Sequence, residues 1–169
     1  ESEVKYLGHL ISKGERKIGS ERIEGILSLP LPETKQELRK LLGLVGYCHL
    51  WTDSYALKTK PLYKNSLKKE QTAPLDPIRD PIGKIIKTLL VTAPILALPS
   101  LEQPFHLFVN ISKGVALGVL THKHGGHQWP VAFLSKILDP VTRGWPECVQ
   151  SIAATPLLTE ESRKITFGG

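Results

Sequence analysis

The sequence predicts an α+β fold, with a β-hairpin and a small helical bundle in the N-terminal half and three strands followed by a helix in the C-terminal half. Three observations support this prediction. Thr34 and Glu37 have the spacing of a capping box ahead of a helical apolar stripe. Pro94 ends a second stripe of the same kind. From Phe105 onwards, apolar residues recur at every second position, which is the period of a strand.

Short strands are expected at the start of the chain. Residues 4–11 alternate between apolar and polar side chains, Gly14 supplies a turn, and Lys17 with Ile18 begins the return strand of a hairpin. Residues 25–32 contain two prolines and are predicted to be a connector.

Three helices are predicted next. The first begins after Thr34, and its apolar stripe comprises Leu38, Leu41, Leu42, Val45 and either Cys48 or His49. A second helix over residues 55–63 is expected to be broken by Pro61. A third runs from Ile82 to Leu90 and ends before Pro94.

The C-terminal half has the period of strands. Predicted strands cover residues 105–110, 115–120 and 130–135, with a polar turn over residues 122–127. A helix is expected after Pro146, with an apolar stripe formed by Val149, Ile152 and Ala153. Pro156 is expected to kink or end it.

Composition narrows the class of protein. The 169 residues include no Met, so we expect an excerpt from a longer reading frame. No stretch approaches the roughly 18 apolar residues of a membrane span, and no leader is evident, so we expect a cytoplasmic or nuclear protein that is not secreted and does not bind a membrane. Cys48 and Cys148 are predicted to be reduced thiols that act as small core residues.

The charge is compatible with a polyanionic partner. The net charge is +6, and the densest positive run comprises Lys58, Lys60, Lys64, Lys68 and Lys69. Such a run is usually only solvated, but beside a second basic helix it would form a surface that contacts phosphates. Gly43 and Gly46 leave one face of the first predicted helix bare, which suits a packed neighbouring helix and a nucleic-acid backbone equally well.

A histidine cluster offers a possible metal site. His122, His124 and His127 form an H-x-H-x-x-H pattern beside two glycines, and three imidazoles in a short turn can converge on one ion. A fourth ligand is missing, so we favour an exposed hairpin tip and expect neither a metal nor a cofactor.

Several segments in the same order resemble a gammaretroviral Pol polyprotein over nearly the whole chain. Residues 4–10 are similar to the end of the palm with its primer grip, and residues 37–43 with 46–51 to the first thumb helix, which residues 61–63 continue. Residues 92–99 and 105–110 resemble the junction of the thumb with the connection domain, to which residues 130–136, 138–140 and 144–146 are also similar. An endogenous retrovirus is the expected source.

The resemblance implies three segments. Residues 1–32 would be the end of the palm and a connector, residues 33–99 a thumb-like helical bundle, and residues 100–169 a connection (RNase H-like) domain that is incomplete at its C-terminus. Departures from the family pattern include Ala73-Pro74-Leu75 in place of an aromatic F-x-W element, Gly83 in place of a large side chain, and Pro156 within the last helix.

The resemblance also implies that this chain is not an enzyme on its own. The polymerase aspartates of the family would lie before Glu1, and Asn110 stands where an RNase H-like protein carries an aspartate. A neutral amide cannot replace an anionic ligand that bridges two metal ions. Near the position of the helix glutamate lies Cys148, flanked by Glu147, so a live RNase H-like hydrolase is disfavoured.

Duplex binding is the function that the resemblance leaves in place. In the family the first thumb helix follows the minor groove of the template–primer duplex, which implies contacts by the following residues: Gln36, Arg39, Lys40, Gly43, Gly46, Lys58, Lys60 and Lys64. We expect weak, sequence-independent binding to an RNA–DNA or DNA duplex. The remainder of Pol would be a further partner. The alternatives are a domesticated protein-interaction module and a relic without a selected function.

The primer-grip resemblance singles out Tyr6, Leu7, Gly8 and His9. In the family this hairpin contacts the primer strand near its 3′ end. From the residues alone, Tyr6 and Leu7 are ordinary strand residues and Gly8 permits a close approach, and we favour that interpretation for this chain.

Overall fold

A computed structural model describes residues 2–66 and 79–167, and it confirms the predicted α+β class. The strands of the N-terminal sheet are β1 (Val4–Tyr6), β2 (His9–Ser12), β3 (Glu15–Ile18) and β4 (Leu96–Ala97). The helices are α1 (Ser20–Leu27), α2 (Lys35–Val45), α3 (Tyr55–Ser66), α4 (Arg79–Val91) and α5 (Glu147–Thr166). The second sheet contains β5 (Phe105–Ser112), β6 (Val115–His124) and β7 (His127–Ile137).

The N-terminal sheet is larger than the predicted hairpin. Its four strands are antiparallel in the order β1-β2-β3-β4, and β4, which was not predicted, pairs Ala97 with Glu15. The strand predicted over residues 4–11 is divided by a turn at Leu7 and Gly8, and the predicted connector is helical up to Leu27. The first prediction was wrong because Leu7 and Gly8 adopt positive φ and reverse the chain, and the second because residues 25–27 form the last turn of the helix that begins at Ser20.

Four two-residue hairpin turns connect the strands. Both turn residues have positive φ in each case: 47° and 81° at Leu7-Gly8, 47° and 81° at Lys13-Gly14, 49° and 72° at Lys113-Gly114, and 58° and 82° at Gly125-Gly126. This is the turn type whose twist matches that of the flanking strands. The turn predicted over residues 122–127 is therefore shorter, and the strands on both sides extend to His124 and His127.

Helix α2 begins where the capping box predicts. The Thr34 hydroxyl accepts a hydrogen bond from the Glu37 amide at 3.3 Å, and the Glu37 carboxylate accepts one from the Glu33 amide at 2.8 Å. The apolar stripe faces a core formed by α1 to α4 and the 3-10 turn Gly46–Trp51. The largest fully buried side chains of this core are Trp51, Leu38, Leu42, Ile82, Leu89 and Leu90.

Two prolines lie inside helices that the sequence predicted they would break. Pro61 is within α3 and Pro156 is within α5, and both are exposed. Proline removes the hydrogen bond to the carbonyl four residues earlier. The carbonyl left free by Pro156 belongs to Ile152, a residue on the exposed side of the helix. Packing of the opposite face, through residues such as Leu158, holds the helix together.

The second sheet is antiparallel in the order β5-β6-β7, and α5 packs against it. The buried residues of α5 are Gln150, Ala154, Leu158, Ser162 and Thr166. The predicted stripe of Val149, Ile152 and Ala153 was wrong, since Ile152 is 73% exposed. Cys148 is also exposed, against prediction, whereas Cys48 is buried and burial raises the pKa of its thiol to about 11.

Three polar contacts join the two halves. The Arg16 guanidinium on β3 donates to the Val131 carbonyl on β7 at 2.7 Å. The Ala56 amide at the start of α3 donates to the Ser135 hydroxyl at 2.9 Å. The Lys60 ammonium donates to the Lys113 carbonyl at 2.9 Å. The second sheet is therefore held directly against the helical bundle.

Candidate nucleic-acid interface

The exposed face of α2 carries half of the residues that the resemblance selects for duplex binding. Gln36, Arg39, Lys40 and Gly43 are exposed, while the apolar stripe lies on the opposite side. Residues three and four apart share one side of a helix, so this grouping follows from the spacing. The helix therefore presents two cations and a bare glycine to solvent.

The two glycines of this region differ in their surroundings. A Cβ added at Gly43 would meet no atom within 4 Å among the described residues, whereas one added at Gly46 would lie 3.7 Å from the Tyr55 hydroxyl. Gly46 is thus packed against its own protein. Gly43 is open, so no neighbouring helix in the described part of the chain accounts for it.

Arg39 has a structural contact as well as an exposed position. Its guanidinium donates a hydrogen bond to the carbonyl of Ser66, the last residue of α3. The final carbonyls of a helix lack partners within the helix, and a cation there is favourable. Arg39 therefore stabilises the end of α3, and its substitution would affect folding as well as any ligand contact.

The lysines of α3 lie beside Arg143 and the Lys113-Gly114 turn, which belong to the C-terminal half and which the sequence did not single out. Lys60 contacts the Lys113 carbonyl, and a Cβ added at Gly114 would lie 2.5 Å from the Arg143 Cδ, so Arg143 covers this turn. Burial, reinforced by the charges of Arg143 and Lys64, holds the pKa of Lys60 below its usual value. These four residues, Lys60, Lys64, Lys113 and Arg143, are called the seam cluster below.

The cations of this region have no acidic partners among the described residues. The ion pairs within 4.0 Å in residues 2–66 and 79–167 involve Lys5, Lys17, Lys136, Arg163 and Lys164. None of them includes Lys40, Lys58 or a member of the seam cluster. Lys68 and Lys69 lie outside the described residues. Unneutralised charge on this scale favours an anionic partner.

Local signals for Lys113 and Arg143 were weak. The Lys-Gly pair at 113–114 marks a hairpin turn, but nothing in the sequence indicates that the turn lies beside α3. Only the tertiary contact brings the two cations to Lys60.

The hairpin β1–β2 projects two apolar side chains at its tip. Tyr6 is 61% and Leu7 is 72% exposed. The Tyr47 hydroxyl donates to the Leu7 carbonyl, and the Gly19 amide donates to the Gly8 carbonyl at 2.9 Å, so the turn is tied to the helical bundle.

His9 lies on the inner side of the same hairpin. Its ring stacks on Tyr47 at 5.0 Å and lies 4.5 Å from the Trp51 ring. Burial and the nearby Arg16 and Arg22 hold its pKa below the usual value, so the ring is uncharged at neutral pH. His9 is therefore part of the packing beneath the tip.

The positions considered for catalysis are all on the surface. Asn110 lies on β5 opposite Leu117, and its side-chain carbonyl accepts a hydrogen bond from the Ile111 amide at 2.8 Å. Glu147 and Cys148 form the first turn of α5 and are exposed. Within residues 2–66 and 79–167, no group of three or more His, Cys, Asp or Glu side chains is arranged to hold a metal ion.

The three histidines of the β6–β7 hairpin do not converge as metal ligands. His124 pairs with His127 across the turn, and both are exposed, while His122 is only 6% exposed. Burial, with the neighbouring His124, holds the pKa of His122 below its usual value.

Comparison with known proteins identifies the family. The family model described as an RNase H-like domain found in reverse transcriptase matches residues 83–168, about half of the chain. The chain therefore belongs to this family of reverse-transcriptase domains.

Its curated relatives are retroviral polyproteins. Over 99% of the chain it is 44% identical to the Gag-Pol polyprotein of avian reticuloendotheliosis virus, and over 99% it is 41% identical to the Pol polyprotein of feline endogenous virus ECE1. It is also 42% identical over 98% of its length to the Gag-Pol polyprotein of koala retrovirus. The predicted resemblance to retroviral Pol is confirmed. The chain spans only 15%, 16% and 10% of these three relatives.

Solved structures share the fold. A foamy viral protease-reverse transcriptase in complex with double-stranded DNA superposes with a TM-score of 0.86 over 98% of this chain and 29% of that one. The same foamy viral enzyme in complex with an RNA/DNA hybrid gives 0.85 over 99% of this chain and 23% of that one. Both are 21% identical to the chain, so they establish the fold.

One further finding concerns membranes. Across the described ranges, no helix combines the length and the apolar character needed to cross a bilayer.

Proposed function

We propose that this chain is a non-catalytic thumb–connection segment of a retroviral reverse transcriptase that binds a template–primer duplex weakly and without sequence preference. The observation that carries the proposal is the set of cations without acidic partners among the described residues, on the exposed face of α2 and in the seam cluster, where Arg39 links α2 to the end of α3 through the Ser66 carbonyl. Binding would use phosphates and groove shape, because Gly43 permits a close approach of the backbone and no base-reading arrangement is evident.

The duplex-bound relatives support the proposal. The structural neighbours were solved with double-stranded DNA and with an RNA/DNA hybrid, and this chain matches their fold along almost its entire length. A duplex carries regularly spaced phosphates, and a surface that neutralises several of them releases counterions. The seam cluster would extend the contacts from the helical bundle onto the second sheet.

The absence of catalysis is proposed on chemical grounds. Asn110 supplies a neutral amide at the position where a carboxylate ligand is expected, and its oxygen already accepts the Ile111 amide. A two-metal mechanism needs anionic ligands that bridge both ions. We also propose the segment boundaries 1–32, 33–99 and 100–169 for the palm end, the thumb and the connection.

The test is fluorescence anisotropy of a labelled RNA–DNA hybrid titrated with the chain at several salt concentrations. We expect affinity in the micromolar range that falls with salt and is the same for unrelated sequences. The double variant Lys40→Ala with Lys64→Ala should reduce the slope of log K against log salt by nearly 2, since each phosphate contact contributes about 0.9.

The matched control removes two lysines elsewhere. Lys84 and Lys87 are exposed on α4, so Lys84→Ala with Lys87→Ala changes the net charge equally but leaves the proposed surface intact. An equal loss of affinity in both double variants would mean that only net charge matters. Absence of binding at low salt by a folded sample would refute the proposal.

The alternative is a protein-interaction module. A largely apolar groove of about 440 Å³ lies beside α2; its lining includes Leu29, Leu31, Leu41 and Leu44 together with three charged residues, Glu33, Glu37 and Lys40. It is next to the basic face rather than in place of it. If the folded chain does not bind the RNA–DNA hybrid, binding of a protein partner in this groove becomes the favoured function.

A further inference from the structure

A polar cavity of about 420 Å³ lies where the two sheets meet. Its walls come from the β2–β3 turn, from the segment that follows β4, and from the β6–β7 hairpin. The size is within the range of small-molecule sites. None of the residues assigned above to duplex binding lines it.

One wall is aromatic. His124 and Trp129 meet edge to face, with ring centroids 6.1 Å apart and an angle of 86° between the rings. Trp129 keeps 36% of its surface exposed. An indole held by one neighbour and open on another side is a stacking surface for a planar ligand.

A second wall contains a buried histidine. His122 is 94% buried, and its Nδ1 atom is closed to a water-sized molecule and has no hydrogen-bond partner among the described residues. Burial, with the neighbouring His124, holds the pKa of the ring below its usual value. His122 therefore shapes this wall of the cavity, and we do not expect a ligand to reach its Nδ1 atom.

Opposite charges complete the lining. Lys13 supplies an ammonium group and Glu15 a carboxylate, and neither takes part in an ion pair within the described ranges. Ser100 adds a hydroxyl. Donors and acceptors therefore surround the aromatic wall.

The chemistry of the lining narrows the ligand. An apolar ligand would leave Lys13, Glu15 and Ser100 without polar partners. A simple inorganic anion would contact Lys13 but has no planar face to place against Trp129, so it would use only one wall of the cavity. A metal ion finds no group of three suitable donors among the described residues. A planar heterocycle with hydrogen-bond donors and acceptors on its edge can stack on the aromatic wall and also form hydrogen bonds with the polar lining residues.

We propose that this cavity binds a single unpaired nucleobase, presented as a nucleoside or nucleotide. The base stacks on Trp129, its polar edge faces Glu15 and Ser100, and an attached phosphate lies toward Lys13. Such a site adds recognition of an unpaired base to a chain whose duplex surface contacts phosphates.

The test is saturation-transfer NMR and calorimetric titration of the purified chain with AMP, adenosine, ribose 5-phosphate and inorganic phosphate. We expect AMP to bind more tightly than adenosine, and ribose 5-phosphate and phosphate to bind at least about tenfold more weakly than AMP. In wild type, AMP should shift the indole N–H signal of Trp129 and leave that of Trp51 unchanged.

Two variants and a control separate the contacts. Trp129→Ala should lower the affinity for both AMP and adenosine by about tenfold or more, since stacking of a base on one aromatic ring contributes that much to binding. Asparagine tolerates the positive φ of position 13, so Lys13→Asn should preserve the turn. This variant should lower the affinity for AMP and leave the affinity for adenosine unchanged. His127→Ala, at the exposed hairpin tip beyond the lining, should bind AMP as wild type does.

Three outcomes would overturn the proposal. They are no binding of AMP at millimolar concentration by the folded wild-type chain, binding of ribose 5-phosphate as tight as that of AMP, or equal losses in Trp129→Ala and His127→Ala. None of these four ligands contains a duplex. A failure to bind AMP therefore does not bear on the proposed binding of the RNA–DNA hybrid, which its own titration tests.

Discussion

The helical bundle and the second sheet achieve burial in different ways. The core of the bundle buries large side chains, including Trp51 and seven leucine or isoleucine residues at 2% exposure or less among the described residues, namely Leu38, Leu42, Leu62, Ile82, Leu89, Leu90 and Leu96. The sheet and α5 bury fewer large side chains, such as Leu120 and Leu158, and combine them with small residues, since Ala116, Ala132 and Ala154 are fully buried. Small residues let the helix and sheet approach closely, so the second region is sensitive to added volume and the first to lost volume.

The largest expected effect is loss of volume in the bundle. Trp51→Ala should lower the free energy of unfolding by about 3–5 kcal/mol, because a buried tryptophan is removed from a closely packed core. It also removes the ring over which the Arg16 guanidinium lies, 5.2 Å from the ring centroid. Urea denaturation followed by circular dichroism measures the change.

The control is a tryptophan of the second region. Trp145 is 43% exposed, so Trp145→Ala should change the free energy of unfolding by only about 0.5 kcal/mol. Similar losses in the two variants would contradict the assignment of the main core to the bundle.

The next effect tests the contact between the regions. Arg16→Ala removes the hydrogen bond to the Val131 carbonyl and the contact with Trp51, and should cost about 1.5–3 kcal/mol. Hydrogen exchange should speed up at the amides of β7 as well as in the bundle, because the sheet loses a support.

Arg22→Ala is the matched control for that experiment. Arg22 lies over Tyr47, 4.2 Å from the ring centroid, and its contact stays within the first region. Its removal should leave exchange in β7 unchanged relative to the bundle. If both variants affect β7 equally, Arg16 does not couple the regions.

The smallest effects come from a pair of glycines, one in each region. A Cβ at Gly118 would lie 3.1 Å from Leu158 Cδ1 and 3.3 Å from Leu107 Cδ1, so Gly118→Val should cost about 1–3 kcal/mol. Gly43 faces open space on a helix, so Gly43→Ala should stabilise the fold by up to about 1 kcal/mol. Thermal unfolding measures both.

Gly43→Ala also has a second readout. If a duplex backbone approaches α2, the added methyl group should weaken binding to the RNA–DNA hybrid although the protein is more stable. Unchanged affinity in this variant would remove Gly43 from the proposed interface.

The candidate site was proposed from the resemblance, and its extent was not accessible from the sequence. The resemblance selected Gln36, Lys40 and Gly43, whose spacing is that of one face of a helix, and the structure exposes them on α2. Arg143 joined the seam cluster only through its contact with the Lys113-Gly114 turn. The local sequence around a charged residue does not show which residues from distant parts of the chain will lie beside it in the fold.

By itself, the sequence determined the α+β class, the start of α2 at Thr34 and the alternation of the strands from Phe105 onwards. These depend on caps and periodicity, which act over a few residues. The tertiary structure alone decided that α3 and α5 continue through Pro61 and Pro156 and that β4 joins the first sheet. It also decided which cations meet Lys60. Each of these outcomes depends on packing between distant segments, which can outweigh a local preference of a few kcal/mol.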